Sequence, residues 1–404
     1  MRSFRAQLFI GAAITSLGVA GLASAQTAAP AAPTETIELE EIVVTAQKRS
    51  ERLLDVPMSV SVTTGEQLLS AGISSTGDLG QISPGLVTVN NGLSFTPAVR
   101  GISSVGTSPG DETNVSLYLD DVYMGAPLAG LFDLKDIQRV EVLKGPQGTL
   151  FGRNATGGAV RIVTLAPSFT PRAEVSAGYG FDFKEVKLGA YATGALADNV
   201  AGSLNLYYTN NDGYIKGVAG NQGKRCGVNE TFSTRGKLLF NLGDDLDVTL
   251  AADYSNRHDN ALFALSPHNR QNGNRGNSAA VIAGPFEYAG GTQPIVDVEG
   301  GGGGIDANWQ ANDYLTVRSI SAYRTVDGYY QTDTDRTNLP IGALVLPQYQ
   351  DTFSQEFNFS GPGDDRLSWI AGLFYYHSKA GNPSFASYSG MPPTAPSSRT
   401  IATR

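Results

Sequence analysis

The sequence predicts an α+β domain followed by antiparallel transmembrane β-barrel strands. Three observations predict it. Residues 139–164 set two short alternating strands around a run punctuated by Gly145, Pro146, Gly148, Gly152, Gly157 and Gly158. So much glycine implies tight, sterically special backbone. From residue 167 onward the chain reads as strands of about nine to twelve residues, each with one apolar and one polar face, which is the signature of a membrane barrel. The N-terminus reads as a secretion address, and no later stretch approaches the roughly 20 apolar residues of a transmembrane helix. A secreted chain without such a helix can still sit in a membrane as a barrel, because a closed sheet satisfies its own backbone hydrogen bonds.

The address comes first. Arg2 and Arg5 form a positive n-region, residues 8–22 an apolar core too short to span a bilayer, and Ala23-Ser24-Ala25 a small-x-small cleavage site. Residues 1–25 are therefore expected to be a signal peptide. Residues 26–40 are Ala/Pro/Thr-rich, then acidic, and read as a flexible linker. The chain of 404 residues is acidic, with 29 Lys+Arg against 38 Asp+Glu. That argues against nucleic acid as a partner, since phosphate neutralisation needs clustered basic residues. The single cysteine, Cys226, leaves no internal disulfide and no cysteine-based zinc cluster. His258, His268 and His377 are scattered and read as exposed polar residues. No Gly-x-Ser-x-Gly elbow, His-Glu-x-x-His motif or convincing carboxylate pair supports an enzyme, and no cofactor is expected.

After the linker comes Glu41-Ile42-Val43-Val44-Thr45-Ala46-Gln47. Its β-branched residues stiffen χ1 and favour an extended strand. Residues 48–166 then form a mixed unit of about 120 residues, an ordinary domain size. Pro57 suits the start of a strand that alternates through Val62. Residues 65–79 carry helical spacing at Leu68, Leu69 and Ile73, with Gly72 as a stop. Ser83-Pro84-Gly85 is a turn before the strand at 86–89, and Ala98-Val99-Arg100-Gly101-Ile102 follows. Residues 115–123 read as a strand, a tight Asp120-Asp121 turn and a second strand, and residues 134–137 as one helical turn. Asp111, Glu112, Asp120 and Asp121 lack the alternate-residue spacing of a calcium loop and read as turn acids. In the central run, strands at 140–143 and 159–163 flank the glycines. It lacks the Gly-Lys-Ser/Thr ending of a phosphate loop, and no helix pattern follows it.

The run 139–164, together with residues 98–102, resembles the plug signature of TonB-dependent outer-membrane receptors. The resemblance implies a plug domain at 48–166 and an energy-coupled import receptor in the outer membrane of a Gram-negative bacterium, its plug reachable from the periplasm. It implies that residues 41–47 are the TonB box. Glu41, Ile42, Val43, Val44, Thr45 and Ala46 would bind TonB, which acts with its inner-membrane energising complex, by adding a strand to an exposed sheet edge. It implies that Arg100, Lys144 and Arg153 pair with carboxylates of the barrel wall. The short linker leaves no room for an extra signalling domain, so the expectation is a plain transporter. A ferric siderophore is the implied cargo, with cobalamin, a glycan or an aromatic compound as alternatives. Contacts would come from residues 90–95 and 103–113. The rival reading is a passive porin-like barrel.

After Ala166-Pro167 the pattern changes, and residues 167–404 read as barrel. Ala173, Val175, Ala177, Tyr179 and Phe181 share one face. Leu204, Leu206 and Tyr208 form another apolar stripe, as do Leu238, Phe240 and Leu242. Leu246, Val248, Leu250, Ala252 and Tyr254 point outward, with Asp247, Thr249, Ala251 and Asp253 inward. Phe353, Phe357 and Phe359 oppose Ser354, Glu356 and Asn358. Residues 242–246 make a tight turn, whereas 257–304 and 329–350 read as long polar loops on the opposite side, as in membrane barrels with long outer loops. About nine or ten candidate strands lie between residues 172 and 379, against about 22 in the largest plugged transporter barrels. The sequence past Ala380 is Pro/Ser/Thr-rich and ends without a terminal aromatic strand. A partial barrel is expected, possessing a complete plug but not closing on itself, and as it stands a fragment.

Overall fold

A computed structural model describes residues 43–44, 48, 51–90, 94–104, 108–130, 136–260, 281, 283–334, 337–339, 342–362, 368–383 and 386–388. The signal peptide, the linker, and Glu41, Ile42, Thr45, Ala46 and Gln47 of the expected box lie outside the described residues, as do residues 91–93 and 105–107 of the expected ligand loops and His268. Among the described residues no helix is long and apolar enough to cross a membrane.

The first layer is a small mixed domain. Strand β1 (Val43–Val44) pairs antiparallel with β2 (Glu51–Arg52). Strand β3 (Val60–Thr64) runs straight into helix α1 (Gly65–Ser70). Thr64 caps the helix: its Oγ1 accepts from the Gln67 amide at 3.3 Å, and its own amide donates to Gln67 Oε1 at 3.0 Å. This reciprocal pairing satisfies two donors that the helix start would otherwise orphan. The helix is shorter than the spacing over 65–79 suggests. The chain turns at Gly72, and Thr76–Gln81 forms a separate 3-10 turn.

Strands β4 (Leu86–Asn90) and β5 (Phe95–Val99) form a hairpin. Strands β6 (Val115–Leu119) and β7 (Val122–Tyr123) close over Asp120 and Asp121, both at positive φ (48° and 65°), which is the backbone of a tight two-residue hairpin. Strand β8 (Ile137–Lys144), helix α2 (Gly148–Phe151) and strand β9 (Gly158–Thr164) make up the glycine-rich run. One expectation is corrected here. Ile137 opens a strand rather than ending a helical turn. The glycine run contains one helical turn, because Leu150 and Phe151 fold back on Gln147 (N···O 3.2 and 2.9 Å) and Phe151 is buried. The sheet order is β3-β8-β9-β6-β7, with β6 parallel to β9 and the other pairs antiparallel. Leu68, Ile73, Leu79, Leu117, Val140, Val142, Val160 and Ile162 fill the core. Gly158 lets β8 and β9 converge: a Cβ there would stand 2.3 Å from the Leu143 carbonyl oxygen.

The second layer is a long antiparallel wall. Its strands are β10 (Arg172–Gly180), β11 (Glu185–Ala197), β12 (Val200–Asn210), β15 (Asn229–Asn241), β16 (Leu246–Asp259), β18 (Ile295–Asn312), β19 (Leu315–Asp333), β20 (Ala343–Ser360), β21 (Ile370–Gly381) and β22 (Ala386–Tyr388). They are ordered as numbered, except that β21 and β22 both pair with β20. This ten-stranded sheet matches the predicted nine or ten strands. Among the described residues it stays open, β10 being its first edge. Strands β13 (Ile215–Gly217), β14 (Arg225–Cys226) and β17 (Glu287–Tyr288) form a separate small sheet over the long-loop end.

Register puts the predicted apolar stripes in rows. Leu238, Leu250 and Ile305 lie side by side on the outer face, as do Phe240, Val248 and Ala307. Rings cap the upper rim of this band, Phe232 against Tyr254 (6.5 Å between centroids) and Phe353 against Tyr375 (6.2 Å). An apolar belt with aromatic girdles is what hydrocarbon and its interfaces select.

The loops differ from expectation. The loop expected at 257–304 is strand at both ends, since β16 continues to Asp259 and β18 begins at Ile295. The loop expected at 329–350 is likewise strand at both ends, since β19 runs to Asp333 and β20 begins at Ala343. The strands continue past the apolar belt, where the alternation changes sides: Val296 and Val298 face inward and Asp297 and Glu299 outward, and the backbone ladder persists. The five glycines at 300–304 lie inside β18. Asp253, Gly302 and Arg324 share one row, and Arg324 reaches Asp253 across the glycine with two hydrogen bonds of 2.8 and 2.7 Å. A Cβ on Gly302 would stand 2.8 Å from Arg324 Cγ and 2.6 Å from the Tyr323 carbonyl oxygen.

Candidate functional site

The site is the contact between the small domain and the inner face of the wall. Alternation puts Lys237, Arg235, Asp253, Arg318, Arg324 and Glu356 on that face, opposite the apolar stripes. A charge shielded from water needs a partner, and the small domain supplies four. Lys237 Nζ lies 2.8 Å from Asp120 Oδ2. Arg318 Nη1 donates to Asp121 at 2.8 Å while its Nη2 holds Asp306 at 2.6 Å. Arg235 Nη1 donates to both oxygens of Asp136 at 2.8 and 3.1 Å. Lys48 Nζ lies 2.8 Å from Glu356 Oε1 and over the rings of Tyr118 and Phe151, 5.3 and 5.1 Å from their centroids. Asn358 also donates to Glu356, at 2.7 Å.

The hairpin turn at 120–121 organises this contact. Asp120 accepts from the Thr164 amide and hydroxyl, each at 2.8 Å, so it ties β6 to the end of β9 as well as to the wall. Asp121 pairs with the buried Arg161, which also donates to Glu141 at 2.5 Å. Burial alone would raise the Asp121 carboxyl. The cations of Arg161, Arg318 and Lys48 outweigh it and hold the group well below the usual carboxylate range. Asp120 behaves alike: burial opposes ionisation, and Lys237 and Arg235 overcome it to lower the value. A polar cavity opens beside these pairs, between Leu119, Met124 and Leu128 of the small domain and Arg235, Asp253 and Gly300 of the wall. Above it, Ala126 and Leu128 pack on Val296, Val298, Val326 and Tyr330.

The predicted site residues fall as follows. Val43 and Val44 form the short strand against Glu51 and Arg52. Arg100 is exposed at φ 52°, directed along Gly85 and Gly145. Lys144 is half-buried, its amide donating to the Ser59 carbonyl at 2.9 Å. Arg153 is exposed and donates to Glu112, a carboxylate of the small domain itself, at 2.7 Å. Among the described residues none of these three basic side chains meets a wall carboxylate, and Lys48 makes the one such contact seen. The other three contacts have the opposite polarity, acid on the small domain and base on the wall. Gly145 (φ 103°) and Gly152 (φ 78°) adopt backbone that other residues avoid, Pro146 is exposed between them, and Gly148 opens α2. The Gly157 amide donates to the Asn114 carbonyl at 2.9 Å, and Gly158 closes the β8–β9 approach. Asp120 and Asp121 read from sequence as turn acids. The signal to notice was two acids where a tight hairpin favours Asn-Gly. His258 and His377 lie within strands, and His258 pairs with Asp297.

A long antiparallel β-sheet holding a mixed domain against its polar face is the arrangement of part of a plugged barrel. Residues 52–159 match the family model of the TonB-dependent receptor plug domain. Residues 52–159 are thus a TonB-dependent receptor plug domain, and the strands that follow it have the fold of part of a barrel. Among curated relatives, it is 39% identical over 142 residues to the pesticin receptor of Yersinia pestis, covering 34% of this chain and 20% of the relative. It is 27% identical over 180 residues to the vitamin B12 transporter BtuB of Photobacterium profundum, covering 43% of this chain and 28% of that one. Among solved structures it resembles the ferric yersiniabactin uptake receptor FyuA of Yersinia pestis, with TM-score 0.68 and 23% identity over 80% of this chain and 49% of that one. It also resembles FpvA of P. aeruginosa, with TM-score 0.66 and 16% identity over 87% of this chain and 46% of that one. The chain thus spans about half the length of these structures and less of the curated relatives.

Proposed function

We propose that this chain is the plug and part of the barrel of a receptor for energised uptake of a scarce substrate, a ferric siderophore. The observation that carries the reading is the plug seated on the inner wall by charge pairs, Asp121–Arg318 foremost, with a β-branched segment just ahead of it. A plug held by a few ionic contacts rather than by a large apolar core can be shifted by a pull on its leading segment. Glu41, Ile42, Val43, Val44, Thr45 and Ala46 take the pull by adding a strand to TonB. Arg100, Lys144 and Arg153 are the plug cations to probe beside Lys48. The long-loop end faces the exterior and the short turns the periplasm.

The experiment is uptake of radiolabelled ferric siderophores by iron-starved cells expressing the receptor, with and without Val44→Pro. Proline removes a ladder donor. Energised uptake should vanish while surface binding of the ferric chelate remains. Uptake that survives the substitution would point to a passive barrel.

A further inference from the structure

The long-loop end of the wall carries two charged surfaces of opposite sign, side by side. The first is basic. Loop 211–228 leaves β12 at Asn210, rejoins the wall at Asn229, and carries three cations against one acid, Asp212, in a chain of net charge −9. Lys216, Lys224 and Arg225 are all exposed, and Lys216 and Arg225 are register partners in β13 and β14. Asp212 is taken by Lys184 at 3.0 Å, and Glu287 turns to the Gly284 amide at 2.8 Å. Among the described residues none of the three cations pairs with a carboxylate; Arg225 donates to the Gly213 carbonyl at 3.2 Å. Exposed rings accompany them. Phe183 packs on Tyr214 (centroids 5.5 Å apart) and Tyr214 on Phe286 (6.4 Å), which is 65% exposed.

The second surface is acidic. Glu230, just past that loop, begins a register row that runs through His258 and Asp297 to Tyr329. The next outward row holds Phe232, Asn256, Glu299 and Asp327. Both rows share the parity of Leu238, Leu250 and Ile305, so they point away from the small domain. They contain four acids and no lysine or arginine. Glu299 and Asp327 stand directly opposite each other, a like-charged pairing that costs stability unless a cation meets it. Glu299 accepts from the Tyr254 hydroxyl at 2.9 Å and Asp297 meets His258, and neither contact supplies a fixed cation.

We propose that the two surfaces are halves of one interface, which joins two copies of this chain side by side in the membrane. Copies inserted in one membrane share one orientation, so a two-fold axis relating them runs along the membrane normal. Such an axis sets the basic half of each copy against the acidic half of the other, which is the self-complementarity an isologous contact needs. An acidic partner of another kind would account for the cations but not for the acidic rows beside them. The inference goes beyond the uptake reading and needs only that the sheet sits in a membrane in one orientation.

The test follows energy transfer between full chains carrying a donor or an acceptor dye at the C-terminus, reconstituted in phosphatidylcholine vesicles and diluted with lipid. The native chain should associate, and less so as salt rises. Lys216→Glu, Lys224→Glu and Arg225→Glu together should weaken association by roughly a hundredfold, because like charges then face each other. Glu230→Lys, Asp297→Lys and Glu299→Lys together should do the same. A mixture of the two triple variants should associate again, each supplying the sign the other lacks, and that recovery also shows both to be folded. A native chain whose transfer matches that of non-interacting copies would overturn the proposal and leave both surfaces to partners of another kind. Undiminished association of either variant alone would overturn it too, and so would a mixture that stays apart. None of these outcomes touches uptake, which Val44→Pro tests separately.

Discussion

Asp121 joins three cations that would otherwise face one another: Arg161 inside the plug, Arg318 on the wall and Lys48 at the start of the plug. Replacing it by Asn keeps the shape and removes the charge. Arg161, whose side chain is 2% exposed, then keeps Glu141 but loses its second carboxylate. Breaking a buried pair from one side is costly, so Asp121→Asn should destabilise the receptor by about 3–5 kcal/mol in urea unfolding from lipid vesicles. Adding Arg318→Met should cost much less in that background than alone, since the two side chains share one contact. Equal costs in both backgrounds would mean that the pair does not bind plug to wall. The sequence named Asp121 as a turn acid but not its partner. Arg318 lies 197 residues away, and only the curvature of the wall around the plug brings the two together. Arg100, Lys144 and Arg153 were chosen by resemblance. Turn geometry at Arg100 and the nearby Glu112 at Arg153 decide where two of those side chains go, and neither is visible as a pattern.

The strands show what alternation can and cannot tell. Where one face meets lipid, the apolar stripe is legible residue by residue, as in Leu246, Val248 and Leu250. Past the belt the outward face turns polar, and the glycines at 300–304 read as loop punctuation. Their reason is a long-range contact, the reach of Arg324 across β18 to Asp253. Gly302→Val should therefore act on the ion pair rather than only on the strand. Its Cβ would meet both Arg324 Cγ and the Tyr323 carbonyl. A loss of about 1–3 kcal/mol is expected from the crowding, read as a lowered thermal transition. Asp253→Asn should then cost less in the Gly302→Val background than in the native chain. If it costs the same, the clasp has survived the side chain and the account of the glycine run fails.

Across the whole molecule, plug and wall are held by different forces, and pH should separate them. The wall is a backbone ladder, and its hydrogen bonds do not titrate between neutral and acid pH. The plug is seated by carboxylates. Asp120 and Asp121 both ionise more readily in the folded receptor than in the unfolded chain, where a free Asp titrates near 3.9. A lowered folded value means that the unfolded state binds protons first as pH falls. The stability these groups contribute is therefore complete above the unfolded value and is lost as pH drops below about 4 towards the folded values. Acid should loosen the plug while the sheet persists. Hydrogen-exchange protection, corrected for intrinsic rates, should fall for amides of β6, β8 and β9 as pH drops from about 4 to about 2, with those of β16, β18 and β19 holding. Salt at neutral pH should imitate this only weakly, because partly buried pairs are poorly screened. A plug that keeps its protection at about pH 2 would be seated mainly by the apolar contact of Ala126 and Leu128 with Val298 and Tyr330, and a pull on the leading segment would then have to break that contact instead.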